Sequence, residues 1–132
     1  MPSENMRDNA MMAHLMDSLE AGKDIGHYGR LVFAMVARHF MSKEEVVGYL
    51  RKDQDFSDEQ ALALYDQVQG RDYNPPRRER ILQWQNEQEF PICPDAENPD
   101  ACNVYKDLKF PEEIYRNISE YHVEKEESGQ AA

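Results

Sequence analysis

Residues 26–40 read Gly-His-Tyr-Gly-Arg-Leu-Val-Phe-Ala-Met-Val-Ala-Arg-His-Phe. Leu31, Val32, Phe33, Met35, Val36 and Phe40 leave only a narrow polar stripe, so the spacing predicts a largely buried helix at the centre of the core. The stripe is His27, Arg30, Ala34 and Arg38, three and four residues apart, which stacks them along one face.

The neighbouring segments read as further helices. From Asn9 to Ala21 the apolar positions Met11, Met12, Leu15, Met16 and Leu19 follow the 3.6-residue period, and Gly22 supplies the stop. Ser42-Lys-Glu-Glu45 is a capping-box pattern that opens a third helix through Val46, Val47 and Leu50. Ser57 with Gln60 opens a fourth the same way, ending at Gly70. Pro75-Pro76 breaks the chain, and Pro76 suits the first position of a fifth helix that carries Ile81, Leu82 and Trp84 to about Gln88. A long loop from Glu89 to Phe110 follows, and a last helix is expected from Pro111 with Ile114, Tyr115 and Ile118. No strand alternation or internal repeat competes. The expected fold is therefore all-α: one compact helical domain of about six helices with one long irregular loop. Residues 1–8 are expected to be flexible, 9–122 to form the domain, and 123–132 to be a disordered acidic tail.

At 132 residues the chain is long enough for one modest core. Its formal charge of −11 argues against coating nucleic acid or an anionic membrane by bulk attraction, because such binding needs many Lys and Arg side chains acting together. No apolar run is long enough to span a bilayer, and Met-Pro-Ser-Glu-Asn lacks the character of a signal peptide. A cytoplasmic location is expected, where two cysteines are more often thiols or ligands than a disulfide.

Against that acidic background, Arg71, Arg77, Arg78 and Arg80 put four of the nine arginines within ten residues. Such a cluster points to an anion site. Guanidinium groups grip phosphate bidentately, and the expectation is that His27, Arg30 and Arg38 from the helical stripe join Arg77, Arg78 and Arg80 around one. Tyr73 and Trp84 offer faces on which a base can stack, although Trp84 at helical spacing from Ile81 also suits a core role. For Arg30 the competing reading is a structural carboxylate partner within the core. Cys93 and Cys102 are weak metal-ligand candidates. Two thiolates need two further ligands, for which His14, His27, His39 and His122 are available, and the spacing is not that of a zinc knuckle. A Cys nucleophile lacks a visible His base.

Met11-x3-Leu15-x3-Leu19, then His27-Tyr-Gly-Arg30 heading an apolar helix, then Asp72-Tyr73-Asn-Pro75-Pro76, then Cys93-Pro94, together resemble the C-terminal domain of the large primase subunit of archaea and eukaryotes. The resemblance covers about residues 10–121. In that family four cysteines hold a four-iron, four-sulfur cluster. Here Met11 and Arg78 stand at the first two of those positions, leaving Cys93 and Cys102 at plausible ligand positions. Thiolate ligation normally takes all four, so no cluster or other cofactor is expected; Arg78 and Met11 would fill its space, with Arg78 paired to a carboxylate. The resemblance implies that His27 and Arg30 contact a nucleotide or phosphate. It also implies a primer or template end of DNA or RNA as ligand, and a primase or polymerase catalytic protein as partner, since in that family the catalytic carboxylates belong to the other, smaller protein. The expectation is a non-catalytic accessory domain in DNA replication or repair. The alternative is a protein–protein interaction adaptor that kept the scaffold and lost nucleic-acid binding, which the acidic surface favours.

Overall fold

In a computed structural model, which describes residues 6–98 and 100–114, the described residues form helices and no strand. In chain order they are α1 (Ala10–Glu20), α2 (Gly26–Ala37), α3 (Lys43–Leu50), α4 (Asp58–Gly70), α5 (Arg78–Gln85) and the one-turn α6 (Val104–Asp107).

Each boundary has a local cause. Asn9 caps α1, its side chain accepting from the Met12 N–H. Gly22 follows the C-cap with φ +75°, the left-handed geometry a stop after a helix favours. Ser42 and Glu45 form the reciprocal capping box at α3, and Ser57 and Gln60 repeat it at α4.

Helix α2 is the hub, packing against α1, α3, α4 and α5. Its Val32, Phe33, Ala34, Val36 and Ala37 are fully buried, joined by Met11, Met12, Leu15 and Leu19 of α1 and by Val46 and Leu50 of α3. Burying one such large apolar side chain contributes roughly 1.5–3 kcal/mol. Four Met residues in the 6–16 segment fill the irregular gaps on this side, and Met6 is itself buried while Arg7 pairs with Asp17 and Glu20. Residues 6–8, expected to fray, are thus tied to α1.

Three elements differ from expectation. Helix α2 ends at Ala37, with Arg38 to Phe40 forming a turn. Helix α5 runs from Arg78 to Gln85, so Pro76 is not its first residue; Arg77 is the N-cap, extended at φ −81° and ψ 162°. Its expected last turn is absent because the Gln88 amide turns back to α2, accepting from the Tyr28 N–H at 2.9 Å and donating to the Ile25 carbonyl at 2.9 Å. The loop from Glu89 to Phe110 is not wholly irregular, since it contains α6. Only residues 112–114 of the last expected helix are described, and they are helical. Tyr115, Ile118 and the tail 123–132 lie outside the described residues.

Candidate functional site

The seven predicted contact residues do not converge on one point. Arg30 is buried, and its Nη1 donates to Asp53 Oδ2 at 3.0 Å and Asp24 Oδ1 at 3.1 Å, while its guanidinium lies 4.3 Å from the Phe56 ring centroid. The carboxylate that the sequence did not reveal is Asp53, whose side chain is fully buried. Asp53 also accepts from the backbone N–H groups of Ile25 and Asp55. A guanidinium so occupied is a staple between the start of α2 and the turn after α3.

Arg38 is likewise committed. Its guanidinium donates to Gln69 Oε1, to Asp72 Oδ1 at 2.7 Å and to the Tyr73 carbonyl at 2.9 Å. These bonds clamp the chain as it leaves α4, where Asp72 adopts φ +50°, a left-handed conformation that Asp tolerates better than most residues. The clamp fixes Tyr73 and the buried Pro75 and Pro76 behind it, and the Tyr105 hydroxyl donates to the Pro75 carbonyl.

The segment held in this way forms one wall of a groove of about 630 Å³. Tyr73, Arg77, Arg80, Trp84 and Tyr105 line it, together with Leu31 and Met35 of α2. Arg77 and Arg80 flank the first turn of α5, and no side chain caps that helix. Arg80 is exposed, lies 5.9 Å from the Trp84 ring centroid and takes part in no ion pair among the described residues. Trp84 stacks on Tyr28 at 5.4 Å and 15°. His27, exposed at the start of α2, meets Tyr28 edge-on at 5.1 Å, which connects it to the groove through that ring pair. The groove therefore offers aromatic faces beside cationic side chains. Glu79 is the acidic member of its lining.

Arg78 points elsewhere. Its Nη2 donates to the Ala96 carbonyl at 2.7 Å, so its partner is a backbone carbonyl in place of the expected carboxylate. Beyond it lie the two buried thiols, Cys93 and Cys102. Burial, and then the neighbouring Cys93 thiol, push the Cys102 thiol up to about 12, with Arg78 opposing. The Met11 N–H donates to the Ala101 carbonyl at 3.1 Å, which brings the start of α1 to the same corner. These bonds to Ala101 and Ala96 attach Met11 and Arg78 to the loop that carries Cys93 and Cys102. This donor set does not fit an iron–sulfur cluster: it offers two thiols where such a cluster takes four, and Arg78 binds the loop between them.

The histidines considered as ligands do not join the cysteines in a cluster. His14 Nε2 donates to the Pro91 carbonyl at 2.8 Å and stacks on Phe90, and His39 packs edge-on against Phe110. His122 lies outside the described residues. Among the described residues no three His, Cys, Asp or Glu side chains gather as a metal site would require. No described helix is long and apolar enough to cross a membrane. Comparison of the chain with known protein families, characterised proteins and solved structures finds no match in any of the three.

Proposed function

We propose that this chain is a non-catalytic accessory domain, a small helical relative of the C-terminal domain of the large primase subunit, that binds a nucleotide phosphate or a primer end in DNA replication or repair, beside a primase or polymerase catalytic protein. The observation that carries this reading is the groove in which Tyr73, Arg77, Arg80 and Trp84 come together. Arg77 and Arg80 take the phosphate, assisted by the positive end of the α5 dipole. Tyr73 and Trp84 present π-faces to a base, a contact worth about 1–3 kcal/mol per base. His27 stands near through Tyr28. Arg30, Arg38 and Arg78 hold the scaffold in shape and leave the ligand to the groove. The bonds that attach Met11 and Arg78 to the loop carrying Cys93 and Cys102 support the family part of the reading, because those are the four positions at which the resemblance puts cysteines.

The adaptor reading keeps one specific observation in its favour. Of the guanidiniums expected at the phosphate, those of Arg30, Arg38 and Arg78 all serve internal partners. Those three are committed away from any phosphate, in a chain whose net charge is −11.

Fluorescence anisotropy of a labelled 5′-triphosphorylated oligonucleotide separates the two readings. Nucleotide binding predicts a saturable signal that Arg80→Ala weakens about tenfold or more, the loss expected for a hydrogen bond to a charged group. The adaptor reading predicts no binding by either protein.

A further inference from the structure

Glu79, Arg80 and Trp84 of α5 all line the groove. Arg80 and Trp84, four residues apart, stand one above the other on the helix, and Glu79 lies beside that column, about 100° round the axis from Arg80. The stack of Trp84 on Tyr28, at 15°, fixes the plane of the indole, and the Arg80 guanidinium lies 5.9 Å from its ring centroid. Glu79 is exposed and takes part in no ion pair among the described residues. A carboxylate here repels the phosphate that Arg80 attracts. It adds to ligand binding only by accepting hydrogen bonds from another part of the ligand.

A base at a single-stranded end, or on a free nucleotide, exposes its Watson–Crick edge. A carboxylate offers that edge two acceptors side by side and no donor. Guanine is the common base that answers with two donors side by side, its N1–H and its N2 amino group. Adenine and cytosine set one amino donor next to a ring-nitrogen acceptor, and uracil or thymine holds its N3–H between two carbonyls. Each of these turns at least one lone pair toward the carboxylate.

We propose that the groove selects guanine, with Glu79 accepting from N1–H and the N2 amino group while the ring lies against Trp84 and Arg80 takes the phosphate. This rests on the nucleotide reading given above and adds the identity of the base. The first turn of α5 favours an acidic residue on account of the helix dipole alone. A carboxylate serving only the dipole, or only screening phosphate, acts on every nucleotide alike, whereas one that reads the base acts on guanine with the opposite sign from the rest.

Calorimetric titration of the protein with the triphosphates of guanosine, inosine, adenosine, cytidine and uridine tests this. The guanosine nucleotide is expected to bind about tenfold or more tightly than the adenosine, cytidine and uridine nucleotides, the discrimination of one bidentate contact. The inosine nucleotide, which lacks the N2 amino group, should fall between. In Glu79→Gln the guanosine nucleotide should weaken about tenfold, while the adenosine, cytidine and uridine nucleotides bind as well as before or better, because the repelling charge is gone. The proposal is overturned if the guanosine nucleotide binds no more tightly than those three, or if Glu79→Gln shifts all five by one factor; nucleotide binding by the groove would survive either result. If none of the five binds, the nucleotide reading and the guanine assignment fall together.

Discussion

Arg30 Nη1 lies 3.0 Å from Asp53 Oδ2, and the Asp53 side chain is fully buried. The pair links residues 23 positions apart, and Asp53 accepts two backbone N–H groups as well. Removing one partner of such a pair strands the other in the interior, which costs about 3–5 kcal/mol. Asp53→Ala should therefore lower the urea unfolding free energy by that amount, and Arg30→Ala should do nearly as much. A loss under about 1 kcal/mol would mean that the pair is not a staple.

Gly26 has φ +79°, and a Cβ there would stand 2.5 Å from Gln88 Oε1. A flexible side chain usually yields cheaply. Gln88 cannot, because its amide bonds Tyr28, Ile25 and Phe90 at once. Gly26→Ala should destabilise by about 1–3 kcal/mol, combining left-handed strain with the broken bonds. Thermal unfolding of Gly26→Ala and of Gln88→Ala checks this; the double variant should lose less than the sum of the two.

His39 is pushed down to about 4, chiefly by burial and then by the neighbouring Arg38 charge, with Asp72 opposing. The unfolded chain, with an ordinary value near 6.5, binds the proton more readily. Stability from this group is therefore full above about pH 6.5 and is lost as pH falls toward 4. His39 is only part-buried, so screening trims the effect to roughly 1–2 kcal/mol. Urea titrations at pH 7 and pH 4.5 should show a smaller acid loss in His39→Gln than in wild type. Equal losses would contradict the assignment.

Met11 bonds the Ala101 carbonyl next to Cys102, and Arg78 bonds the Ala96 carbonyl between the two cysteines. Placing thiols there, as Met11→Cys with Arg78→Cys, supplies the four thiolates that an iron–sulfur cluster takes. Anaerobic reconstitution of the double variant should give brown protein with bound iron, and wild type treated in parallel should stay colourless. A double variant that folds yet takes up no iron would count against the family resemblance.

The helices are legible because their signals are local. Ser42 with Glu45 and Ser57 with Gln60 announce helix starts through bonds reaching three residues, and both capping boxes are made as read; the Asn9 cap, equally local, was there to be read as well. The apolar spacing of residues 31–36 marks α2 as the hub for the same reason. What fails to show depends on distant partners. Nothing near Arg30 in sequence reveals Asp53, and nothing near Gln88 reveals the backbone of Ile25 and Tyr28 that ends α5 early. Helix α6 escapes because one turn is too short to display a period, although Asn103 before Val104 is a starting signal. Of the site, Tyr73, Arg77 and Arg80 are legible as residues of the groove they line, with Trp84 beside them. Tyr105 is not, since it arrives from the loop. Arg30, Arg38 and Arg78 group with them by charge alone, and charge does not say where a guanidinium points.

Trp84 is the single tryptophan of the chain and lines the groove, so its fluorescence reports directly on occupancy. Titration with a 5′-triphosphorylated oligonucleotide should quench it saturably, with affinity falling as salt rises. Replacing Arg80 by Ala should weaken the binding and reduce the slope of log affinity against log salt by about 0.7, the share of one phosphate contact on a single strand. Unchanged fluorescence throughout the titration, or the same affinity and slope in Arg80→Ala as in wild type, would contradict phosphate binding in this groove.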